Sequence, residues 1–176
     1  MRMHLNGKLF ELPKSEVEAY GQDNLTYGSL SLKGATALCK MLQNYIMSDK
    51  IVGFDLGCGD GELMHHFQQL LPESVWDGVE ISEHRVSVAT RDVHIWQGDM
   101  LDESYHSYNV LHSDNLCLDD EIEERLENKI AREFKGIFIS YRPLESDILI
   151  RKSYLLHRMD VESSWGVPAP ILFYKV

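Results

Sequence analysis

The sequence predicts a single α/β domain with a doubly wound, mostly parallel sheet, and two patterns along the chain indicate it. From residue 51 onward, short runs of β-forming apolar residues alternate with helical patterns, which is the order of a parallel sheet covered by helices on both faces. The first of these runs, 51–54, leads directly into an acid and three glycines at alternate positions. The length of 176 residues suits one domain, and the sequence contains no repeat, low-complexity segment or linker.

The first 48 residues are predicted to form a hairpin and helical lid region in front of a core at 49–176. Residues 1–12 fit a β-hairpin because two alternating apolar runs flank an Asn-Gly pair, a favoured tight turn. A short helix follows, in which Ser15 and Glu18 form a capping box, and it stops at Gly21.

A longer helix is predicted at 31–47, immediately before the sheet. The turn-rich segment 24–29 in front of it is placed to cover the sheet edge as a lid, although packing alone is the default interpretation. The apolar face of this helix comprises Leu32, Ala35, Leu38, Leu42, Tyr45 and Ile46.

The remaining elements follow from the alternation of apolar and helical patterns. Strands are predicted at 51–55, 75–80, 93–96, 110–112 and 137–140, and helices at 62–71, 82–90 and 119–134. Two further strands, at 154–159 and 171–176, flank a segment rich in glycine and proline. The tail therefore adds two edge strands after the fifth strand.

The glycine-rich turn after the first strand predicts the ligand. Its order, from Asp55 to Gly61, is D-x-G-x-G-x-G, whereas a dinucleotide fingerprint would need its third glycine at Glu62. Glycines let main-chain N–H groups approach a ligand closely, and a helix begins directly afterwards. This order is typical of class I S-adenosylmethionine (SAM) methyltransferases. It predicts their Rossmann-like, seven-stranded sheet, mostly parallel with an antiparallel C-terminal strand.

Acids stand at the ends of three successive predicted strands. Asp55 closes the first strand, where it can order the loop and lie near the ammonium group of the cofactor. Glu80 comes 23 residues after Gly57 and can accept both ribose hydroxyls. Asp99 follows the third strand and can accept the adenine amino group, while Met100 packs on the ring. The presence of an acid at the end of each of three successive strands strengthens the prediction of SAM.

The charge of the chain restricts its partners. The formal net charge of −11 argues against binding nucleic acid with the whole surface. Residues 129–158, however, carry seven basic and three acidic side chains. This segment is a candidate contact for DNA phosphates or an acidic protein, although a solvated face is the commoner meaning of such a run.

Other compositional features indicate an intracellular protein without a metal. No apolar run approaches the ~20 residues of a membrane span, and the first residues lack the apolar core of a secretory signal. The three cysteines are scattered, and neither they nor the eight histidines show metal-ligand spacing. A reducing compartment is therefore expected.

Four short motifs resemble a known family. The run 109–138 resembles the disruptor-of-telomeric-silencing family of histone lysine methyltransferases, which lack a SET domain, and the family's Asn-Asn-Phe-x-Phe motif corresponds to residues 114–118. Tyr27-Gly28, the Gly-Val-Glu at 78–80 and the Ser-Trp-Gly-Val-Pro at 164–168 agree with it. The resemblance covers about residues 24–176.

The resemblance implies a nuclear, SAM-dependent enzyme that methylates a histone lysine in the nucleosome by in-line transfer to a neutral amine and releases S-adenosylhomocysteine. Family members use basic segments to grip DNA, and no metal is implied. The implied catalytic residues are Tyr27, Asp114, Asn115 and Trp165. The implied cofactor-binding residues are Tyr27, Gly28, Asp55, Gly57, Gly59, Glu62, Glu80, Ile81, Asp99, Met100 and Asp114.

The sequence also departs from the family pattern. The first Asn of the motif is Asp114, its two aromatic positions hold Leu116 and Leu118, and the acid expected after Tyr27-Gly28 is Ser29. Two alternatives therefore stay open. One is a class I methyltransferase for an RNA or a small molecule, which would be cytoplasmic. The other is a SAM-binding module with weak or no catalysis.

Overall fold

Strands and helices alternate along the chain from β1 onward, as the sequence predicts. The structure, a computed structural model, describes residues 7–46, 50–89 and 92–176. Its helices are α1 (Lys14–Tyr20), α2 (Leu32–Tyr45), α3 (Glu62–Leu70), α4 (Glu83–Val88), α5 (Asp120–Glu133) and α6 (Asp147–Lys152). Its strands are β1 (Val52–Leu56), β2 (Val75–Glu80), β3 (His94–Gln97), β4 (Val110–Ser113), β5 (Ile137–Ser140), β6 (Tyr154–Val161) and β7 (Ala169–Lys175).

The strands form one sheet in the order β3-β2-β1-β4-β5-β7-β6. Neighbours among β1 to β5 pair in parallel, whereas β7 runs antiparallel to both β5 and β6. The predicted α/β fold, with a seven-stranded, mostly parallel sheet and an antiparallel C-terminal strand, is confirmed. The strand order reverses between β1 and β4, and the carboxyl ends of strands at such a switch point open the crevice where ligands bind.

Helices cover both faces of the sheet with apolar side chains. On one face, Leu38 of α2 and Phe67 of α3 are fully buried, and Phe67 packs on Trp76 of β2 with ring centroids 4.6 Å apart. On the other face, Ile130 of α5 and Phe138 of β5 belong to a second buried cluster. Each such side chain stabilises the fold by about 1.5–3 kcal/mol relative to exposure. These two layers hold the strand ends in place.

The predicted N-terminal hairpin does not form in the part that the structure describes. Residues 1–6 of that prediction lie outside the described chain, and Gly7–Phe10 forms a 3-10 helix instead of a strand. The reason is tertiary, because Leu9 is fully buried and its carbonyl accepts a hydrogen bond from Arg85 Nε at 3.3 Å. A local hairpin would expose this side chain.

Three helix predictions need correction. The predicted capping box of α1 is absent, since Pro13 is the N-cap and no side chain caps the helix. Leu32 does not join the buried face of α2 and is 52% exposed, because it lies in the first turn. The short helix α6 was not predicted; Ser146 caps it by accepting from the Leu149 N–H.

Within the described ranges, no helix combines the length and apolar character needed to cross a membrane.

Candidate cofactor and acceptor site

A cavity of about 230 Å³ opens at the carboxyl ends of β1 to β4. Its position matches the switch point of the sheet, where the loops after the strands leave a crevice. Residues 24–28, which precede α2, form another wall of this cavity in part, together with the end of α1. Of the residues implied by sequence, those lining it are Tyr27, Gly28, Gly57, Glu80, Ile81, Asp99, Met100 and Asp114. We call it the cofactor cavity.

The glycine loop after β1 is held against β2. The N–H groups of Gly57 and Cys58 both donate to the Val79 carbonyl, at 2.9 and 3.0 Å. Gly57, Gly59 and Gly61 have φ of +81°, +58° and +75°, which L side chains rarely adopt. The alternate glycines therefore let the loop turn sharply from the strand into α3.

Glu80 closes β2 and is almost completely buried. Its Oε2 accepts from the Gly59 N–H at 2.8 Å, and its Oε1 accepts from the Ser82 N–H at 3.0 Å. Burial raises the pKa of Glu80, and the Arg85 guanidinium, 3.8 Å away, opposes this rise. Because each carboxylate oxygen has about two acceptor directions, Glu80 can hold the loop and still accept a hydroxyl in the cavity.

Arg85 of α4 is a cavity residue that sequence reasoning missed. It is 3% exposed, and it donates to the carbonyls of Leu9 and Leu25. Its guanidinium also lies 5.3 Å from the ring centroid of Tyr27. Arg85 therefore ties the N-terminal segment to Glu80, and nothing in its local sequence separates it from an exposed arginine.

Asp99 and Met100 border the cavity at the end of β3. Asp99 Oδ1 accepts from the Leu101 N–H at 2.8 Å, which fixes the turn. The Met100 carbonyl accepts from the hydroxyl of buried Tyr105 at 2.7 Å. These bonds place one carboxylate and one thioether side chain beside the same wall, a combination that suits an adenine ring.

Asp114 follows β4 and lines the cofactor cavity from the opposite side. It is half-buried, and burial raises its pKa to about 6, while the nearby His112 opposes the shift. At neutral pH, Asp114 is therefore mainly a carboxylate facing a confined space. Such a group favours a cationic amine.

A second, smaller cavity of about 20 Å³, the inner chamber, adjoins the cofactor cavity. Asp55 and His112 line it, and His112 Nδ1 lies 2.7 Å from Asp55 Oδ1. The buried Ser29 Oγ has no hydrogen-bond partner among the described residues and borders this chamber. Four residues border both spaces: Tyr27, Gly28, Gly57 and Asp114.

Tyr27 is fixed from several sides. Its hydroxyl donates to Asp60 Oδ1 at 2.8 Å, and its ring covers Gly59, where an added Cβ would lie 2.2 Å from the ring. Burial, followed by the charge of Asp60, raises the pKa of Tyr27 far above its usual value. Tyr27 is therefore a neutral wall of both cavities.

The other residues implied by sequence do not line either cavity. Asn115 is fully buried, donates to Ser140 Oγ at 2.9 Å and accepts from the Tyr141 N–H at 2.8 Å. Its amide therefore supports the loops after β4 and β5, and the structure does not bring it to the acceptor position. The Trp165 ring lies against Gly28, where an added Cβ would be 2.6 Å from it, and is 38% exposed. Glu62 is buried in the first turn of α3.

The arrangement fits the cofactor that the sequence predicts. Glu80 and Asp99 supply acceptors for ribose and adenine groups, and the orphaned Ser29 hydroxyl lies near the glycine loop, where a polar tail would need a partner. Among the described residues, no cluster of three or more His, Cys, Asp or Glu is arranged to hold a metal ion.

Comparison with solved structures places this fold among SAM-dependent methyltransferases. The plantazolicin methyltransferase BpumL, in complex with a monoazolic desmethylPZN analog and SAH, shares 20% identity with a TM-score of 0.51, covering 60% of this chain and 44% of that chain. Precorrin-6y C5,15-methyltransferase from Geobacter metallireducens GS-15 shares 16% identity with a TM-score of 0.51, covering 79% and 86%. The mitomycin 7-O-methyltransferase MmcR shares 15% identity with a TM-score of 0.56, covering 82% and 53%.

The present chain spans about half the length of BpumL, and the likeness to all three structures is one of fold. No family model matches the sequence, and no curated protein matches it.

Proposed function

We propose that this chain binds SAM and methylates the side-chain amine of a protein lysine, with a histone in the nucleosome as the first candidate substrate. The observation that carries the cofactor assignment is the convergence of Gly57, Glu80 and Asp99 on one cavity. The shared fold supports it, since BpumL was crystallised with SAH. The proposal has two parts, a class I methyltransferase activity and lysine as the acceptor of the methyl group.

Different residues of the cavity walls bind different parts of the cofactor. Glu80 accepts from the ribose hydroxyls, and Asp99 accepts from the adenine amino group. Ser29 and Asp114 face the methionyl end, where one hydroxyl and one carboxylate can bind its polar groups. When bound, SAM supplies an electrophilic methyl group on a sulfonium.

Lysine is favoured by the residues around Asp114. The Asp114 carboxylate attracts an ammonium group, while Tyr27 and Leu118 provide apolar surface in the same cavity. Trp165 and Leu116, each 38% exposed, extend apolar surface outside it. Partial burial disfavours the charged form of a lysine, which must lose a proton before it can attack.

The chain's residues act on the reaction by positioning. Methyl transfer forms a bond between the amine nitrogen and the methyl carbon as the carbon–sulfur bond breaks. The nitrogen, carbon and sulfur must lie in line, with the nitrogen ~3–3.5 Å from the carbon before the transfer. Tyr27 and Asp114 border both the cofactor cavity and the inner chamber, so they are placed to align the amine. Walls of this kind also exclude water.

DNA contact is proposed for a surface that only partly overlaps the segment 129–158. Arg142 already pairs with Asp120 and Glu145, and Lys152 donates to the Ala131 carbonyl. By contrast, one face of α5 forms a surface pocket of about 220 Å³ beside the cofactor cavity. This pocket is lined by Leu101, Arg125, Asn128, Lys129 and Arg132. Lys129 already pairs with Glu133 at 2.8 Å, so the cations that we call the α5 basic face are Arg125 and Arg132.

A small-molecule or RNA acceptor is the second candidate, and a nearly inactive SAM-binding module is the third. The specific observation behind both is the use of Asn115 in internal hydrogen bonds, so that Leu116 and Cys117 are the exposed residues of the motif. An enzyme acting on a histone would be nuclear, whereas the second candidate fits the cytoplasm.

The decisive experiment supplies radiolabelled SAM to the protein with nucleosomes, free histones, RNA and a metabolite extract in parallel. We expect label on a lysine of nucleosomal histone, located by mass spectrometry. Label on RNA or a metabolite alone would replace lysine by the second candidate. Tight SAM binding by calorimetry with no labelled product would favour the third.

A further inference from the structure

Three adjacent strand ends carry a buried chain of hydrogen bonds. Asp55 of β1 is the register partner of His112 of β4, and Tyr141 directly follows β5, the next strand. His112 Nδ1 lies 2.7 Å from Asp55 Oδ1, and His112 Nε2 lies 3.0 Å from the Tyr141 hydroxyl. All three side chains are at most 3% exposed, and all three line the inner chamber.

The partners determine the direction of the chain. A carboxylate only accepts, so the proton of neutral His112 lies on Nδ1 and is donated to Asp55. His112 Nε2 then accepts from the Tyr141 O–H, which leaves the Tyr141 oxygen free to accept a further proton. The chain therefore points its accepting end toward the inner chamber.

The other groups that face His112 and the inner chamber are one carboxylate, one aromatic ring and two neutral polar side chains. Asp114 carries charge on the same side, Phe67 of α3 packs edge-on against the imidazole at 5.6 Å, and the chamber is also bordered by the neutral Tyr27 hydroxyl and Cys58 thiol. Burial, followed by the charges of Asp114 and Asp55, raises the pKa of Tyr141. Tyr141 therefore remains a hydroxyl, which can pass a proton to His112.

We propose that Tyr141, His112 and Asp55 form a proton-accepting chain that deprotonates an amine acceptor before its methylation. The inference rests on the proposed function, because a lysine arrives as an ammonium with a pKa of about 10.4 and has no lone pair for attack. It adds to that function a route for the proton.

The proton count balances along this route. One ammonium proton passes to the Tyr141 oxygen as the Tyr141 proton passes to His112 Nε2, which gives a neutral amine and an imidazolium paired with Asp55. The amine nitrogen then bonds to the methyl carbon, the carbon–sulfur electron pair stays on sulfur, and the product is a methylated ammonium. The imidazolium returns its proton to water after product release.

Tyr141→Phe tests the chain because it removes one hydroxyl and keeps the ring. With nucleosomes at pH 7, we expect kcat to fall about 100-fold, within the range for general acid–base catalysis, while the Kd for SAM changes less than about twofold. The loss should shrink toward pH 10, where a larger fraction of the amine is neutral without help. Tyr45→Phe is the matched control, since its hydroxyl donates to the Leu156 carbonyl away from the cavities. An unchanged kcat and pH profile, or a parallel loss of SAM affinity, would contradict the proposed proton-accepting chain.

An NMR measurement tests the chain independently of the acceptor. In the ¹⁵N-histidine-labelled, SAH-bound protein at pH 7, we expect His112 to be neutral with its proton on Nδ1, and Tyr141→Phe to shift the Nε2 resonance. A proton on Nε2, or on both nitrogens, would overturn the chain even if lysine is methylated. Conversely, wild-type protein that labels RNA or a metabolite but no lysine would overturn the proposed function. The pH profile of Tyr141→Phe on that acceptor would then decide whether the chain serves it.

Discussion

Gly59 decides how the cofactor loop and the lid segment meet. Its N–H donates to Glu80, and its Cα hydrogen faces the ring of Tyr27 from the segment before α2. A side chain there would meet two obstacles, a φ of +58° and a ring atom 2.2 Å from the new Cβ. A single absent methyl group thus lets two walls of the cavity approach each other.

Gly59→Ala should weaken SAM binding by about tenfold or more, since Tyr27 must move and left-handed backbone disfavours alanine. Isothermal titration calorimetry measures the affinity. Gly166→Ala is the matched control, because Gly166 has a similar φ of +89° but open space around the new Cβ. Equal losses in both variants would mean that backbone strain, and not the contact with Tyr27, sets the affinity.

At the scale of elements, α4 holds the N-terminal segment through Arg85. This one guanidinium reaches two carbonyls, of Leu9 and Leu25, and the carboxylate of Glu80. Lysine cannot reproduce the planar fork that makes these contacts together. The lid segment therefore depends on a side chain from a helix that lies about 60 residues further along the chain.

Arg85→Lys should loosen this connection while keeping the charge. We expect residues 7–30 to become sensitive to limited proteolysis and the Kd for SAM to rise about fivefold or more, because the lost buried hydrogen bonds leave carbonyls unpaired. Arg151→Lys on α6, an exposed position, should change neither. Wild-type protease resistance in Arg85→Lys would show that the segment is held by its apolar contacts alone.

Helix α5 carries a buried carboxyl pair that supports the loops after β4 and β5. Glu123 contacts Asn115, and Glu127 accepts from the N–H groups of Glu145 and Ser146. Burial raises the pKa of Glu123 from 4.5 to about 8. Between these pH values the folded chain holds a proton that the unfolded chain has lost, so its free energy of unfolding falls as pH rises through this window.

Glu123→Gln should remove this pH dependence, since the amide keeps an oxygen for Asn115 and does not titrate. We expect the melting temperature of the wild type to fall relative to the variant by about 3 °C or more between pH 5 and pH 8.5, measured by circular dichroism. Glu124→Gln, an exposed position on the same helix, is the control. If the melting temperatures of the wild type and Glu123→Gln change in parallel with pH, Glu123 does not hold a proton in the folded protein.

At the scale of the whole molecule, the distribution of charge bears on the proposed nucleosome substrate. The net charge of −11 favours contact with basic histone surface, whereas the α5 basic face opens beside the cofactor cavity. Arg125 borders both the cavity and this face. A substrate that presents lysine and phosphate together would meet both.

Arg125→Glu combined with Arg132→Glu should raise the KM for nucleosomes about tenfold or more and reduce its salt dependence, because phosphate contacts release counterions. Activity on a free histone peptide should change much less. Arg151→Glu combined with Arg158→Glu, two exposed positions with the same total charge change, controls for net charge. Equal losses of activity on nucleosomes and on the peptide would contradict the proposed DNA contact.

The fold and about half of the site can be predicted from the sequence, and particular residues show why. The strand β2 has its predicted bounds, and Glu80 and Asp99 border the cavity as their strand-end positions imply. Asn115, by contrast, lies in the motif that implies a residue at the methyl-acceptor site. In the structure, its amide is instead hydrogen-bonded to Ser140 and Tyr141. A motif identifies the position of a residue but not the partner of its side chain.

The sequence by itself determines the α/β alternation, the glycine loop and the acids at strand ends, because each depends on local periodicity or spacing. Only the tertiary structure decides the fate of Gly7–Phe10, the burial of Arg85 and the chain through His112. His112 lies 57 residues from Asp55 and 29 from Tyr141, and neighbouring parallel strands bring them within hydrogen-bond distance. Pairing of strands across the sheet is a long-range event, so no local pattern records which side chains it joins.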